Sequence, residues 1–135
     1  MTAALKYEAQ HKEHAIADCP PGGCREASGV VFRFVHNPLS ANDFLPTAPD
    51  IPARLNQCKA WGLSLYASAA QARAAYKANI ASRPKLVTRI GDHLAVGTLQ
   101  PAHGLMHGPA RDGHITFHEH ATVRLETIFT LFEPV

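Results

Sequence analysis

Six of the nine histidines in this 135-residue chain fall between His93 and His120, and three share one short run, Gly113-His114-Ile115-Thr116-Phe117-His118-Glu119-His120. With the two-residue period of a β-strand, His114, Thr116, His118 and His120 point one way. Ile115, Phe117 and Ala121 point the other way, with Glu119 the one mismatch. Such a strand carries its apolar residues into a core and leaves imidazoles and a hydroxyl on an open face. Imidazole donates, accepts, ligates metals and changes charge near neutral pH, so this face is the first place to look for chemistry.

Metal is the simplest such chemistry. His118 and His120 would stand about 7 Å apart at Cα on one side of a strand, close enough to share zinc or iron, with His103, His107 or His114 as a third ligand. The His-x-His pair resembles the metal motif of cupins, but no Glu follows at three or four residues and no second motif occurs, which sets that family aside. His11, His14, Cys19 and Cys24 form a second group of soft ligands, although Cys-x4-Cys is looser than the x2 spacing of a zinc knuckle. Around His118 and His120, spacing fixes neither a third ligand nor a carboxylate. No metal is therefore assigned, and zinc stays the unfavoured alternative. Cys58, beside Lys59, reads as a small buried thiol in preference to an activated one.

Phosphate recognition is the second chemistry. From Ile51 to Gly91 there is no Asp or Glu, while Arg54, Lys59, Arg73, Lys77, Arg83, Lys85 and Arg89 give a block charge of +7 in a chain whose net charge is +2. Such a block attracts a nucleotide or another phosphorylated substrate, or RNA, unless its cations only solvate a helix and its flanking loops. No Walker loop, Gly-x-Gly-x-x-Gly or Gly-x-Ser-x-Gly occurs, which leaves kinase, dinucleotide-fold and α/β-hydrolase readings without support. The acids are too few and scattered for a paired-carboxylate glycosidase. A hydrophobic content of 46% with 18% charged residues is that of an ordinary globular domain. The N-terminus has no apolar core of signal-peptide length and no run is long enough to cross a bilayer, so no membrane partner is expected. With three cysteines, at least one lacks an intrachain partner, and the combined expectation is a cytoplasmic protein in a reducing compartment.

These residues need elements to hold them. Residues 1–27 read as a polar helix or arm closed by Cys19-Pro20-Pro21-Gly22-Gly23, and residues 28–135 as a single α+β domain. Gly29–Val35 is apolar on both faces except for Arg33, as a central strand is. A turn-rich loop follows from His36 to Pro52, then a short helix around Ala53–Trp61. Gly62–Ala67 reads as a strand, with Ser68 capping an alanine-rich helix over Ala69–Ile80. Leu86–Ile90 and His93–Leu99 read as a hairpin about Gly91-Asp92, residues 100–113 as a loop, and Val123–Phe132 as a long last strand. The sum is a small mixed or antiparallel sheet of five to six strands with one or two packed helices.

That order of elements resembles one known arrangement. A strand bearing Arg33 and ending at His36 precedes Gly62-Leu63-Ser64-Leu65-Tyr66-Ala67-Ser68 and its helix. Strand His93–Leu99 and a late Gly-x-x-x-Phe strand follow. Over about residues 28–132 this resembles the ADP-ribosyltransferase-like fold, which includes RES-domain toxins and RNA 2′-phosphotransferases. It does so by element order and isolated residues; the RES Gly-Gly-Arg-Trp-Asn stretch is missing. The resemblance implies a transferase or glycohydrolase acting on NAD. Arg33 or His36 would take the first-strand role, Ser64 or Tyr66 the second, and Glu119 or Glu126 that of the catalytic Glu. In this reading Arg33 and Arg73 anchor the pyrophosphate, Tyr66 stacks on a ring, and His36, Ser64, His114 and Thr116 serve the reacting end. Arg33, Tyr66, His114 and Thr116 should then line one pocket with Arg73 at its rim. Two other classes compete: metal-free RNA cleavage by a pair of histidines, and a non-catalytic binding module.

Overall fold

The β-branched and aromatic runs pair into one open antiparallel sheet, seen in a computed structural model that describes residues 4–135. Its strands are β1 (Arg25–Glu26), β2 (Gly29–Val35), β3 (Leu63–Tyr66), β4 (His93–Leu99), β5 (Gly104–His107), β6 (His114–Glu119) and β7 (Thr130–Pro134), in the order β1-β5-β6-β3-β2-β4-β7. Helices α1 (Glu8–Glu13), α2 (Cys58–Trp61), α3 (Ala69–Ser82) and α4 (Leu86–Ile90) complete it. The class is α+β, with seven strands where five to six were expected.

β2 lies inside the sheet between β3 and β4, and both of its faces are used. Val31 and Val35 enter the main core with Leu65, Ala95, Leu99 and Phe117. Phe32 and Phe34 face the other way and meet Tyr66, Leu94 and Ala72, the last on α3. Val30, on the same face, stands 54% exposed. Helix α3 starts where its cap requires: the Ser68 hydroxyl accepts the Gln71 N–H at 3.1 Å.

Pairing along the sheet is uneven. β2 and β4 run in register from Gly29↔Leu99 to Val35↔His93, and β3 follows β6 from Leu63↔Phe117 to Tyr66↔His114. β2 and β3 share a single ladder pair, Phe32↔Tyr66. Beyond that pair no ladder pairing joins the two strands, which leaves a seam between β1-β5-β6-β3 and β2-β4-β7.

Three expectations are corrected. Leu86–Ile90 is helix α4: Val87, Thr88 and Ile90 favour a strand locally, but both edges of β4 are already taken, by β2 and β7. Gly91 ends α4 at φ +81°, its N–H donating to Val87 O at 2.8 Å. The long last strand is cut by a 3-10 turn at Leu125–Thr127, leaving Thr130–Pro134 to pair. The expected loop over residues 100–113 contains β5, which pairs with β1 and β6. In addition, Cys19 and Cys58 form a disulfide, with Cys24 free, so cysteine usage no longer argues for a reducing compartment. Among the described residues, no helix is long and apolar enough to cross a membrane.

Candidate functional site

Residues of β2 and β3 beside this seam form the floor of a cleft of about 410 Å³, within the range of small-molecule sites. Its far wall is the connection between them, where Pro49 and Pro52 start short 3-10 turns and no ladder can form. Arg33 bridges the open seam. Its Nε donates to Asp43 O at 2.7 Å and its Nη1 to Ser64 O at 2.9 Å, with the guanidinium 5.7 Å from the Phe44 ring centre. Burial pushes its pKa down to about 10, against the pull of Asp43 and Glu119, and it stays cationic at neutral pH.

Across the cleft, His114 Nε2 lies 3.0 Å from Ser64 Oγ. Burial holds the His114 pKa below its ordinary value, with Lys59 adding to the effect and Asp112 opposing it. The ring is therefore neutral, and in the tautomer protonated at Nδ1 it accepts the Ser64 hydroxyl proton. Thr116 lines the same wall one alternation further along β6. Arg33, Ser64, His114 and Thr116, from three strands, thus share one cleft.

Other expected members lie elsewhere. Tyr66 is buried behind His114, its ring centre 5.5 Å from the imidazole and 5.3 Å from Phe34, so it packs the wall and has no open face for stacking. Arg73 lies outside the cleft and donates to Glu133 Oε1 at 3.0 Å. His36 is a strut: Nδ1 faces Asp43 Oδ1 at 2.7 Å and Nε2 faces Thr88 O at 2.9 Å. Both partners are acceptors, so both ring nitrogens donate, and the bond to Asp43 raises the pKa. Glu119 is buried against Lys6 at 3.0 Å, and Glu126 pairs with Arg124; neither lines the cleft.

The chain matches no family model, no curated protein and no solved structure.

The cleft's remaining charge comes from residues that sequence reading noticed only as a block. Arg54, Lys59 and Arg89 line it, three of the seven cations of the acid-free stretch. Two carboxylates join them. Asp43 is committed to His36 and to the Ser40 N–H at 2.9 Å, and Asp50 lies 3.8 Å from Arg89. The charge asymmetry was the available signal, but it could not say which cations the fold would gather.

The histidine face is also revised. His118 and His120 are buried, at 3% and 7% exposure, because the segment before α1 closes over that end of β6. Leu5 bridges to His120, and the Lys6 N–H donates to Glu119 O at 3.0 Å.

Proposed function

We propose that the cleft binds NAD and that the protein is a transferase or glycohydrolase of ADP-ribosyltransferase-like type. The observation that carries this reading is the presence, in one cleft, of Arg33, the Ser64–His114 pair and the cations Arg54, Lys59 and Arg89. Four positive groups around a cavity of this size fit a pyrophosphate, which bidentate guanidinium contacts hold well. Ser64 and Thr116 supply hydrogen-bonding groups for a ribose.

The reaction breaks the bond between the ribose carbon and the nicotinamide nitrogen, and the electron pair leaves with nicotinamide. An acceptor oxygen, from water or from a second substrate, then bonds to that carbon and gives up its proton. Neutral His114 is the base placed to take it, directly or through Ser64. The positive charge on the ribosyl centre calls for a carboxylate, and Asp50 is the one in the cleft not committed to His36. RNA cleavage by two imidazoles has less support, since His114 is the only histidine among the residues lining the cleft.

Incubation with NAD, with nicotinamide followed by chromatography and binding by calorimetry, tests the reading. The expected result is saturable binding and nicotinamide release that falls at least about 100-fold in Ser64→Ala and His114→Ala. Binding without release would leave a nucleotide-binding module. Neither binding nor release would overturn the proposal.

A further inference from the structure

Behind the cleft wall, His11 of α1, Cys19 and His118 of β6 bring one donor atom each to within 4.8 Å of one another. Cys58, the first residue of α2, is bonded to Cys19. Three soft ligand atoms from three separate segments thus converge, and Cys58 Sγ is tied to one of them through the disulfide. The two histidines are 6% and 3% exposed, and both ring nitrogens of His11 and Nε2 of His118 have no hydrogen-bond partner. A buried polar atom left unpaired is destabilising, so three in one cluster call for a missing partner. Burial also lowers both pKa values, that of His118 to about 4, with His11 and His107 adding to that shift. Neutral imidazole is the form that ligates.

We infer that the reduced protein binds one zinc ion through His11, Cys19, Cys58 and His118. A dithiol reductant first opens the disulfide, giving two cysteine thiols and the oxidised reductant. Zn²⁺ then binds both sulfurs as thiolates and releases two protons. Ligand atoms around tetrahedral zinc stand about 3.3–3.8 Å apart, so His11, Cys19 and His118 would draw together by roughly 1 Å while the two sulfurs separate once the disulfide is reduced. The ion would tie the N-terminal arm and the start of α2 to β6. Lys59, Ala60 and Gly62 follow Cys58 directly and line the cleft, so the site stands at its back wall.

The full chain, reduced with a dithiol, loaded with zinc and desalted, should hold one zinc. Its cobalt(II) form should show the visible bands of a tetrahedral two-sulfur, two-nitrogen site. His11→Gln and His118→Gln should each weaken zinc binding by more than the roughly 10–100-fold typical of outer-shell changes. Cys24→Ser and His14→Gln should leave the stoichiometry at one. Zinc should protect Cys19 and Cys58 from alkylation while Cys24 still reacts. A cobalt spectrum without thiolate charge transfer, measured on the unmutated chain, would overturn the inference even if the variants fold poorly. So would reduced protein that takes up no zinc, the outcome for a purely structural disulfide.

Discussion

Replacing Arg33 with alanine should damage folding and binding together, by separable amounts. Its bond to Asp43 O is partly buried and carries a charged donor, and such bonds contribute about 1.5–3 kcal/mol. The bond to Ser64 O lies at the solvent side of the seam, where water can replace the donor, so it adds about 1 kcal/mol or less. The sum is roughly 2–4 kcal/mol, which in urea moves the midpoint by about 1–2 M for a domain of this size. Trp61, the single tryptophan and 5% exposed, reports unfolding by its fluorescence. Arg33→Lys keeps the charge but not the fork that reaches two carbonyls, and should recover less than half of the loss. Arg54→Ala, exposed on the same cleft, should weaken NAD binding with a change below about 0.5 kcal/mol in stability. If Arg33→Ala unfolds at the wild-type midpoint, Arg33 does not hold the seam and the account of the cleft floor is wrong.

Gly91→Ala drives the new methyl into the Val35 carbonyl as well as adding the strain of φ +81°, and should cost more than about 3 kcal/mol in urea unfolding. Gly29→Ala, at φ +89° with nothing within 4 Å, isolates the strain alone and should cost about 1–2 kcal/mol. In Gly62→Ala the new methyl would stand 2.6 Å from Thr116 Cγ2; the expected loss is about 1–3 kcal/mol, together with weaker NAD binding by calorimetry. His36 gives a pH dependence whose sign is set by its raised pKa: its stabilisation is complete below 6.5 and is lost as pH rises through the folded value. Melting temperatures between about pH 6 and 9 should therefore fall less steeply in His36→Gln than in the wild type, and equal slopes would rule out the strut.

Local pattern carried the reading where one strand face met one environment. Gly29–Val35 is interior because it is apolar on both sides, and His114 and Thr116 alternate with Ile115 and Phe117 as the period requires. The same alternation failed two residues later. His118 faces the same way as His114, yet it is covered by a segment more than a hundred residues away in the chain, and nothing local records that. Leu86–Ile90 failed for a related reason, since strand propensity counts only where a free edge exists. Cys19 and Cys58 meet across 39 residues, a distance at which spacing rules say nothing. Arg73 and Lys59 are alike in sequence terms; only the fold sends one to Glu133 and the other to the cleft.

The single Phe32↔Tyr66 pair makes the sheet a hinged object. Two plates, β1-β5-β6-β3 and β2-β4-β7, are joined by one ladder pair and by the Arg33–Ser64 bond, and α3 lies across the joint, touching Tyr66 on one plate and Phe32, Phe34 and Leu94 on the other. The chain passes from plate to plate at every connection except β5–β6, so the plates can change their angle but cannot come apart without unfolding. Amides along the hinge should exchange with solvent faster than those of the β2–β4 ladder, and a molecule held by Arg33 on one plate and His114 on the other would lock the angle and slow them. Ligand binding would then be read as stiffness, at a distance from the atoms that touch the ligand.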